Sequence, residues 1–441
     1  MATKRSAFRA FVLGIIAAAA IGSVIGQMAG PEDRRRKNIY EPLVYVIRQI
    51  DANYVTPVDY DKLLSGAYSG MLSKLDEFSE YIPAKRFREF QVDTKGEFGG
   101  LGIRIRFNPI EKVLSVESPI PGTPAARAGI LAGDRIIKIY DENAEPKETK
   151  AQDLVDVYDA VKKMRGTPGT KITITIVHEG GMKPVDYTIT RGVIKIPGVR
   201  AERIVDKQHK IGYLYIAYFH EHTVPDMQEA IKKLVDDGVK ALIVDLRFNP
   251  GGLLKTAVEL SDVFLSEGKI VSTRGRRFEE KYTAKAADDF PDIPLVVLVN
   301  KYSASASEIF AAAIKDNKRG MIVGEKTFGK GSVQTLIKMP DNQSALKLTT
   351  AYYYTPSGAN IHKKGIEPDI KVEISLEDTR RLVMHLSKAT DFVPKPKEDD
   401  KTKGEKVGEK EKKEEPFKDV QLERAVDIAK GILVYANLKD K

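Results

Sequence analysis

The chain has no cysteine and no tryptophan among its 441 residues, and only six histidines, at positions 178, 209, 220, 222, 362 and 385. Without cysteine there are no disulfides, no thiolate nucleophile and no cysteine-built zinc site. No Gly-x-Ser-x-Gly elbow, phosphate-binding Walker loop, dinucleotide fingerprint or zincin helix is present. The pair His220 and His222 in "FHEHT" is the one histidine cluster with any likeness to metal ligands. Two histidines alone do not make a metal site, so a surface or hydrogen-bonding role is expected and no metal or other cofactor is implied. A formal net charge of +9 comes without a basic, aromatic-laced block, because lysines and glutamates are interspersed; a nucleic-acid partner is not expected.

Hydrophobic residues at 42% and charged residues at 30% describe a soluble globular chain, long enough for two or three domains. At the N-terminus Lys4, Arg5 and Arg9 precede an apolar run from Phe11 to about Met28, and Arg34 to Lys37 follow it. A basic stretch leading into an apolar one is the pattern of an export signal. The run approaches the roughly 17–25 residues that span a bilayer, and only Gly26 offers a cleavage site, so an uncleaved signal anchor is expected over a removed peptide. The expected location is extracytoplasmic, anchored to a membrane or secreted.

Periodicity divides the rest. Residues 37–95 carry apolar positions at 3- and 4-residue spacing (Leu43, Val46, Ile47, Ile50; Leu63, Leu64, Ala67, Met71), punctuated by Pro57 and Pro83, and read as a small helical domain. From Gly96 the rhythm is that of strands: "EFGGLGIRIRF", "KVLSVESPIPG", "GDRIIKIY", "KITITIVH" and "VDYTIT". A short helix lies between Gly122 and Gly129 and a longer amphipathic one over 151–164, giving a β-rich unit over 96–191. In residues 192–392 the continuous apolar runs "IGYLYIAYF", "ALIVDLRF" and "PLVVLVN" alternate with helical stretches, the pattern of an α/β fold whose sheet is covered on both faces. Residues 393–416 are a mixture of Lys, Glu, Asp and Gly that cannot bury apolar area, so a flexible charged linker is expected before a last amphipathic helix in 417–441.

Three segments at the ends of successive core strands could carry chemistry, as α/β enzymes gather a site at one sheet edge. In "VNKYSASASEIF" small residues open a helix after a buried strand, an arrangement that can expose a serine hydroxyl and aim helix-start amides at a developing oxyanion. A plain helix cap is the alternative. In "VGEKTFGKGSVQ" Lys330 stands between two glycines; a lysine base needs a neutral amine, and a surface lysine in a glycine turn is the alternative. In "LRFNPGG" the turn Asn249–Gly252 offers free backbone amides, or is an ordinary Pro-Gly turn.

Together "SASASEI", "TFGKGSVQ", "LRFNPGG" and "LKLTTAYYYTPSGANIHKKGIEPDI" resemble, in order and spacing, the carboxyl-terminal processing (tail-specific) proteases, peptidase family S41. "GGLGIRI" and "PGTPAARAGILAGDRIIKI" resemble the PDZ domain those enzymes carry, and "LDEFSEY" their N-terminal region. The resemblance implies a ClpP/crotonase-like α/β serine peptidase core with an inserted PDZ domain and an N-terminal helical domain. It implies Ser305 as nucleophile, Lys330 as general base and Gln334 as the residue that orients the lysine. The oxyanion donors it implies are the amide of Ala306 and that of Gly251 or Gly252, with Asp316 in a supporting role. For the PDZ domain it implies a peptide-binding loop at Gly100, Leu101, Gly102 and Ile103, and a regulatory arginine at Arg165. Polypeptides with apolar C-termini are the implied substrates, an activating peptide or adaptor protein a further partner, and a homodimer the expected assembly. A departure is Phe248, where the family usually has glycine. The rival readings are a PDZ scaffold or chaperone with an inactive core, and a crotonase-like acyl-CoA enzyme, which gives no reason for a PDZ domain.

Overall fold

The structure is a computed structural model and describes residues 40–285, 292–390 and 417–439. The expected signal segment 1–30 and the charged stretch 393–416 lie outside the described residues. No helix among the described residues is long and apolar enough to cross a membrane. The chain divides into two compact units, Met1–Tyr81 and Ile82–Lys441.

In the first unit two helices follow the predicted 3- and 4-residue spacing, α1 (Tyr40–Asn53) and α2 (Tyr60–Leu72). Asp59 caps α2 by accepting the Lys62 N–H at 3.2 Å. Helix α1 buries none of its residues. The "LDEFSEY" stretch is a turn organised by Asp76, whose carboxylate accepts the Phe78 and Ser79 N–H groups and the Ser79 hydroxyl, each at 2.8 Å.

The second unit begins with α3 (Ala84–Lys95), fastened by Phe87 and Phe90 packing on Ile82, Leu336 and Ala345. Gly96 ends it with φ +71°, donating its N–H to the Val92 carbonyl. The β-rich unit then runs through β1 (Glu97–Gly100), β2 (Ile103–Asn108), β3 (Val113–Pro119), the short helix α4 (Pro124–Arg127), β4 (Arg135–Tyr140) and β5 (Glu148–Lys150). It continues through α5 (Val157–Met164), β6 (Lys171–Val177) and β7 (Val185–Thr190) to β8 (Gly192–Lys195). Strands β2–β3–β4–β6–β7 form one sheet in that order, with β5 beside β4, while β1 pairs with β8. The expected single strand "EFGGLGIRIRF" is therefore two strands in different sheets. Gly102, at φ +75° with the Thr123 side chain where a Cβ would sit, makes the break. The β1–β8 ribbon is the entry and exit of the unit.

The helix expected over 151–164 also divides. A 3-10 turn at Ala151–Asp153 gives way to extended backbone at Leu154, and Asp156 starts α5 afresh by accepting the Asp159 N–H at 2.8 Å. The break lets Leu154 enter the core among Leu114, Ile136, Ile172 and Ile174.

The larger core comprises β9 (Val199–Asp206), β10 (Ile211–Ile216), α6 (Thr223–Asp236), β11 (Ala241–Asp245), α7 (Leu254–Phe264), β12 (Lys269–Gly275), β13 (Glu279–Thr283) and β14 (Leu295–Val299). It then adds α8 (Ala306–Asp316), β15 (Met321–Gly324), β16 (Ser332–Lys338), β17 (Ala345–Tyr354), β18 (Ile370–Lys371), α9 (Leu376–Thr390) and α10 (Val420–Lys439). Its main sheet has the order β9–β10–β11–β14–β15–β18, parallel apart from β9. An antiparallel sheet, β13–β12–β17–β16, lies beside it.

Side chains of the main sheet alternate strictly. Leu214, Ile216, Leu242, Val244, Val297 and Val299 pack on α6, α7 and α8. Tyr213, Tyr215, Ile243, Val296 and Leu298 pack on the other face against Leu382 and Leu386 of α9 and Ala425 and Ala429 of α10. Burial on both faces is why these strands read as unbroken apolar runs. The C-terminal helix thus has its partner within the chain: it covers the centre of the sheet.

Arg191, 1% exposed, clamps the β-rich unit, donating to Asp141 at 2.7 Å, to the Met164 carbonyl at 2.9 Å and to Thr170 at 3.1 Å. Burial works to raise the Asp141 pKa, but the Asn143 N–H and the guanidinium hold it below the ordinary value. Arg191→Ala leaves that carboxylate and the Met164 and Lys163 carbonyls without their donor. It is expected to lower the unfolding free energy by about 3–5 kcal/mol in urea titration. A depressed folded-state pKa gives stability that is present above the unfolded value and lost as pH falls through the folded one, so the variant's acid limb should be shallower.

Candidate active site

Strand β14 ends at Val299, and the tight turn that follows from Asn300 gives the three serines of "SASAS" three different fates. Ser303 is buried and donates its hydroxyl to the Leu246 carbonyl at 2.9 Å. Ser307 is buried and donates to the Asn249 carbonyl at 3.0 Å, the same oxygen that accepts the Ala304 N–H at 3.1 Å. These bonds stitch the serine turn to the Asn249–Gly252 turn. Ser305, between them, has φ +56° and ψ −112°, a backbone region that a non-glycine residue occupies only when its surroundings impose it. It stands half-buried at the mouth of α8, whose first residue is Ala306.

Glu308 holds that conformation. Its side chain is fully buried, and its carboxylate accepts four hydrogen bonds from three places in the chain. One oxygen takes the Ser305 N–H at 2.8 Å and the Lys330 N–H at 2.9 Å. The other takes the Thr327 hydroxyl at 2.6 Å and the Gly329 N–H at 2.7 Å. Burial raises its pKa above the ordinary value, against the opposing pull of these donors. Two bonds on each oxygen satisfy an ionised carboxylate and leave no place for a carboxamide nitrogen.

Tyr353 forms a second link. Its hydroxyl, buried in the core, donates to the Lys330 carbonyl. Desolvation pushes the phenol well above its usual range, with the charge of Glu308 adding to the effect and a hydrogen bond from Ser305 opposing it. Gln334 donates its amide nitrogen to Ser332 at 2.9 Å and Thr349 at 3.2 Å, which fixes where its carbonyl oxygen points.

The Asn249–Gly252 turn lies directly against the serine turn. A Cβ on Gly251 (φ +102°) would come within 2.9 Å of the Ala306 nitrogen, and one on Gly252 (φ +147°) within 2.0 Å of the Phe219 carbonyl. No side chain fits there. The Gly251 N–H is occupied by Asn249 Oδ1 at 2.8 Å. Phe248, the departure noted above, has φ +62°, a region that favours glycine, and its ring stacks on Tyr302 at 5.3 Å between centroids.

Ser305, Lys330, Gln334 and Gly252 line one cavity of about 330 Å³, walled by Phe90, Tyr218, Leu254, Ile309 and Val333. Ala306 and Gly251 are not among the residues that line it, although each adjoins one that does. The β-rich unit's candidates lie elsewhere. Leu101 and Gly102 turn their carbonyls inward, to Ala125, Ile120 and Thr123, and Ile103 opens the edge strand β2, which packs on α5. Arg165 caps α5 and lays its guanidinium over the Phe98 ring of β1, 4.1 Å from the centroid. Asp316, at the end of α8, accepts the Ser357 N–H at 2.9 Å. His220 is buried and accepts the His222 N–H at 3.2 Å, and His222 reaches Glu97 at 3.3 Å.

Sequence reasoning passed over Glu308 and Tyr353. Glu308 had a signal: Ser305 followed three residues later by glutamate is a capping box, and the Ser305 N–H bond is its reciprocal half. Replacing Glu308 by Gln turns an NH2 toward donors that need an acceptor. With two buried donors unmatched at about 1–3 kcal/mol each, Glu308→Gln is expected to lose roughly 2–6 kcal/mol in chemical denaturation.

The chain is similar to known proteins along most of its length. The profile of Peptidase family S41 matches residues 210–372, and that of the PDZ domain matches residues 115–177. The carboxy-terminal-processing protease of Bartonella bacilliformis is 40% identical, with 97% of this chain and 96% of that protein covered. The carboxy-terminal processing protease CtpA of Bacillus subtilis is 35% identical over 80% of this chain and 72% of its own length. Among solved structures, the photosystem II D1 C-terminal processing protease is 29% identical, covering 76% of this chain and 88% of that one, with a TM-score of 0.43. With a near full-length relative at 40% identity, the chain belongs to the carboxy-terminal-processing proteases of peptidase family S41, serine-type enzymes, and carries a PDZ domain.

Proposed function

We propose that the chain is a Ser–Lys endopeptidase in which Ser305 is the nucleophile and Lys330 the general base. The observation that carries this reading is the fate of the three serines. Ser303 and Ser307 are tied to backbone carbonyls, whereas Ser305 faces the cavity that Lys330 also lines. Neutral Lys330 takes the Ser305 hydroxyl proton as that oxygen attacks a peptide carbonyl, and returns it to the departing amine. Water, deprotonated by the same lysine, then hydrolyses the acyl-enzyme ester and releases Ser305. Gln334, fixed by Ser332 and Thr349, orients the lysine.

The oxyanion of each tetrahedral intermediate is held by backbone amides. One is that of Ala306, at the positive end of α8. Of the two glycines, Gly252 supplies the other, because the Gly251 N–H already serves Asn249.

Substrates are polypeptides with apolar C-termini. The tail adds as a strand beside β2, against α5, with its carboxylate at the Gly100–Ile103 loop; the inward carbonyls of Leu101 and Gly102 leave the amides of that loop as donors. Arg165, which lies over Phe98 of the β1–β8 ribbon, relays occupancy of this groove by a substrate tail, an activating peptide or an adaptor protein. The basic and apolar residues 4–28 support action outside the cytoplasm, tethered to a membrane or secreted, and the assembly proposed is a homodimer.

Cleavage of an unfolded reporter with an apolar tail tests the chemistry. Ser305→Ala is expected to lose roughly 10⁴-fold or more, and Lys330→Ala roughly 10²–10⁴-fold, with wild-type kcat/KM rising with pH as the lysine loses its proton. Full activity in either variant, or a flat profile down to mild acid, would contradict the dyad. Arg165→Ala is expected to blunt the stimulation of cleavage by an added apolar C-terminal peptide. Undiminished stimulation would remove Arg165 from the relay.

A further inference from the structure

Arg247 is fully buried, and the cleavage chemistry gives it no role. It lies two residues beyond Asp245, the end of β11, and two before Asn249, the start of the glycine turn. Its Nε donates to both Asp245 oxygens at 3.0 Å, and its Nη2 to Asp245 at 2.6 Å. Its Nη1 and Nη2 then grip Asp419 side by side at 2.8 Å each, and Nη1 adds Gln421 at 3.1 Å. Asp419 and Gln421 belong to the start of α10, 172 and 174 residues along the chain. Asp419 also accepts the Leu422 N–H at 3.0 Å, and Gln421 donates to the Val372 carbonyl at 2.7 Å.

A buried guanidinium is tolerated only when its charge and donors are matched, and a planar fork gripped on two edges has one orientation. That orientation sets the backbone of the next residues. The Arg247 N–H is itself held by Asp245 at 2.9 Å, the Phe248 N–H by Asn300 at 3.0 Å, and Asn249 contacts both Ala304 and Ser307. Covering the sheet would require only the apolar face of α10, with Ala425 and Ala429, and its second tether, Lys430 to Asp206 at 2.8 Å, lies apart from the turn.

We propose that Asp419 is a positioning residue for acyl transfer: through Arg247, the C-terminal helix sets the Asn249–Gly252 turn that presents an amide to the oxyanion. This rests on the reading of Ser305 and Gly252 given above. Undocking the start of α10 would therefore slow the chemical step while substrate binding, which uses the cavity and the β2 groove, is retained.

The test compares Asp419→Asn, Lys430→Ala and Ser305→Ala in the full chain. Reporter kinetics are measured together with the affinity of a peptide aldehyde, which forms a tetrahedral adduct with the nucleophile. Asp419→Asn is expected to lower kcat at least tenfold with KM within twofold, and to weaken the aldehyde by a similar factor. Lys430→Ala, on the same helix, should keep kcat within twofold. Unchanged kcat in Asp419→Asn, a rise in KM alone, or an equal loss of kcat in Lys430→Ala would overturn the proposal. Should Asp419→Asn not fold, Gln421→Ala, which keeps the charge pair, is read by the same ratio, with a threefold fall in kcat expected and none overturning it. Activity surviving in Ser305→Ala would instead contradict the reading on which the proposal rests.

Discussion

A single carboxylate, that of Glu308, joins the pieces of the candidate site. It reaches the Ser305 amide from inside the same helix turn, and the Thr327, Gly329 and Lys330 donors from a segment about twenty residues later. The left-handed backbone at Ser305 is unfavourable on its own, by of order 1–3 kcal/mol, and persists because this network over-determines it. The same bonds hold the glycine-flanked Lys330 segment, so both proposed partners of the dyad take their positions from one buried acid. Tyr353 reinforces the arrangement from the second sheet.

The rest of the core is arranged to keep this turn rigid. Asn249 accepts from Ala304 and Ser307 and donates to the Ile216 carbonyl, tying the ends of β10, β11 and β14 together. Arg247 extends the chain of bonds to the far face, where α10 lies. Sheet faces of opposite sides thus meet at one turn: α8 packs on one, with the proposed nucleophile Ser305 just before its start, and the C-terminal helix anchors the arginine on the other. The PDZ domain is attached by a two-stranded ribbon and contributes none of the cavity-lining residues.

Much of this was legible in the sequence. Buried strands such as "ALIVD" and "LVVLV" declared themselves as apolar runs, and the serine, lysine and glycine segments stood out because small residues leave little other reason for a turn after a strand. Local patterns ended where tertiary demands began. The amphipathic stretch 151–164 matched a helix by spacing, but Asp156 is a better cap than an interior residue, and Leu154 fills the core only if the helix restarts. "EFGGLGIRIRF" matched a strand, but Gly102 turns it where Thr123 leaves no room for a Cβ. The partnership of Arg247 with Asp419 has no local signature at all, since nothing at either position announces the other.

Whether the buried carboxylate holds Ser305 as the acylated residue is read by labelling the protein with a fluorophosphonate and mapping the modified peptide by mass spectrometry. One modification per chain is expected, on Ser305, slowed strongly in Glu308→Gln. Label on Ser303 or Ser307, or undiminished labelling of Ser305 in the Glu308 variant, would contradict it.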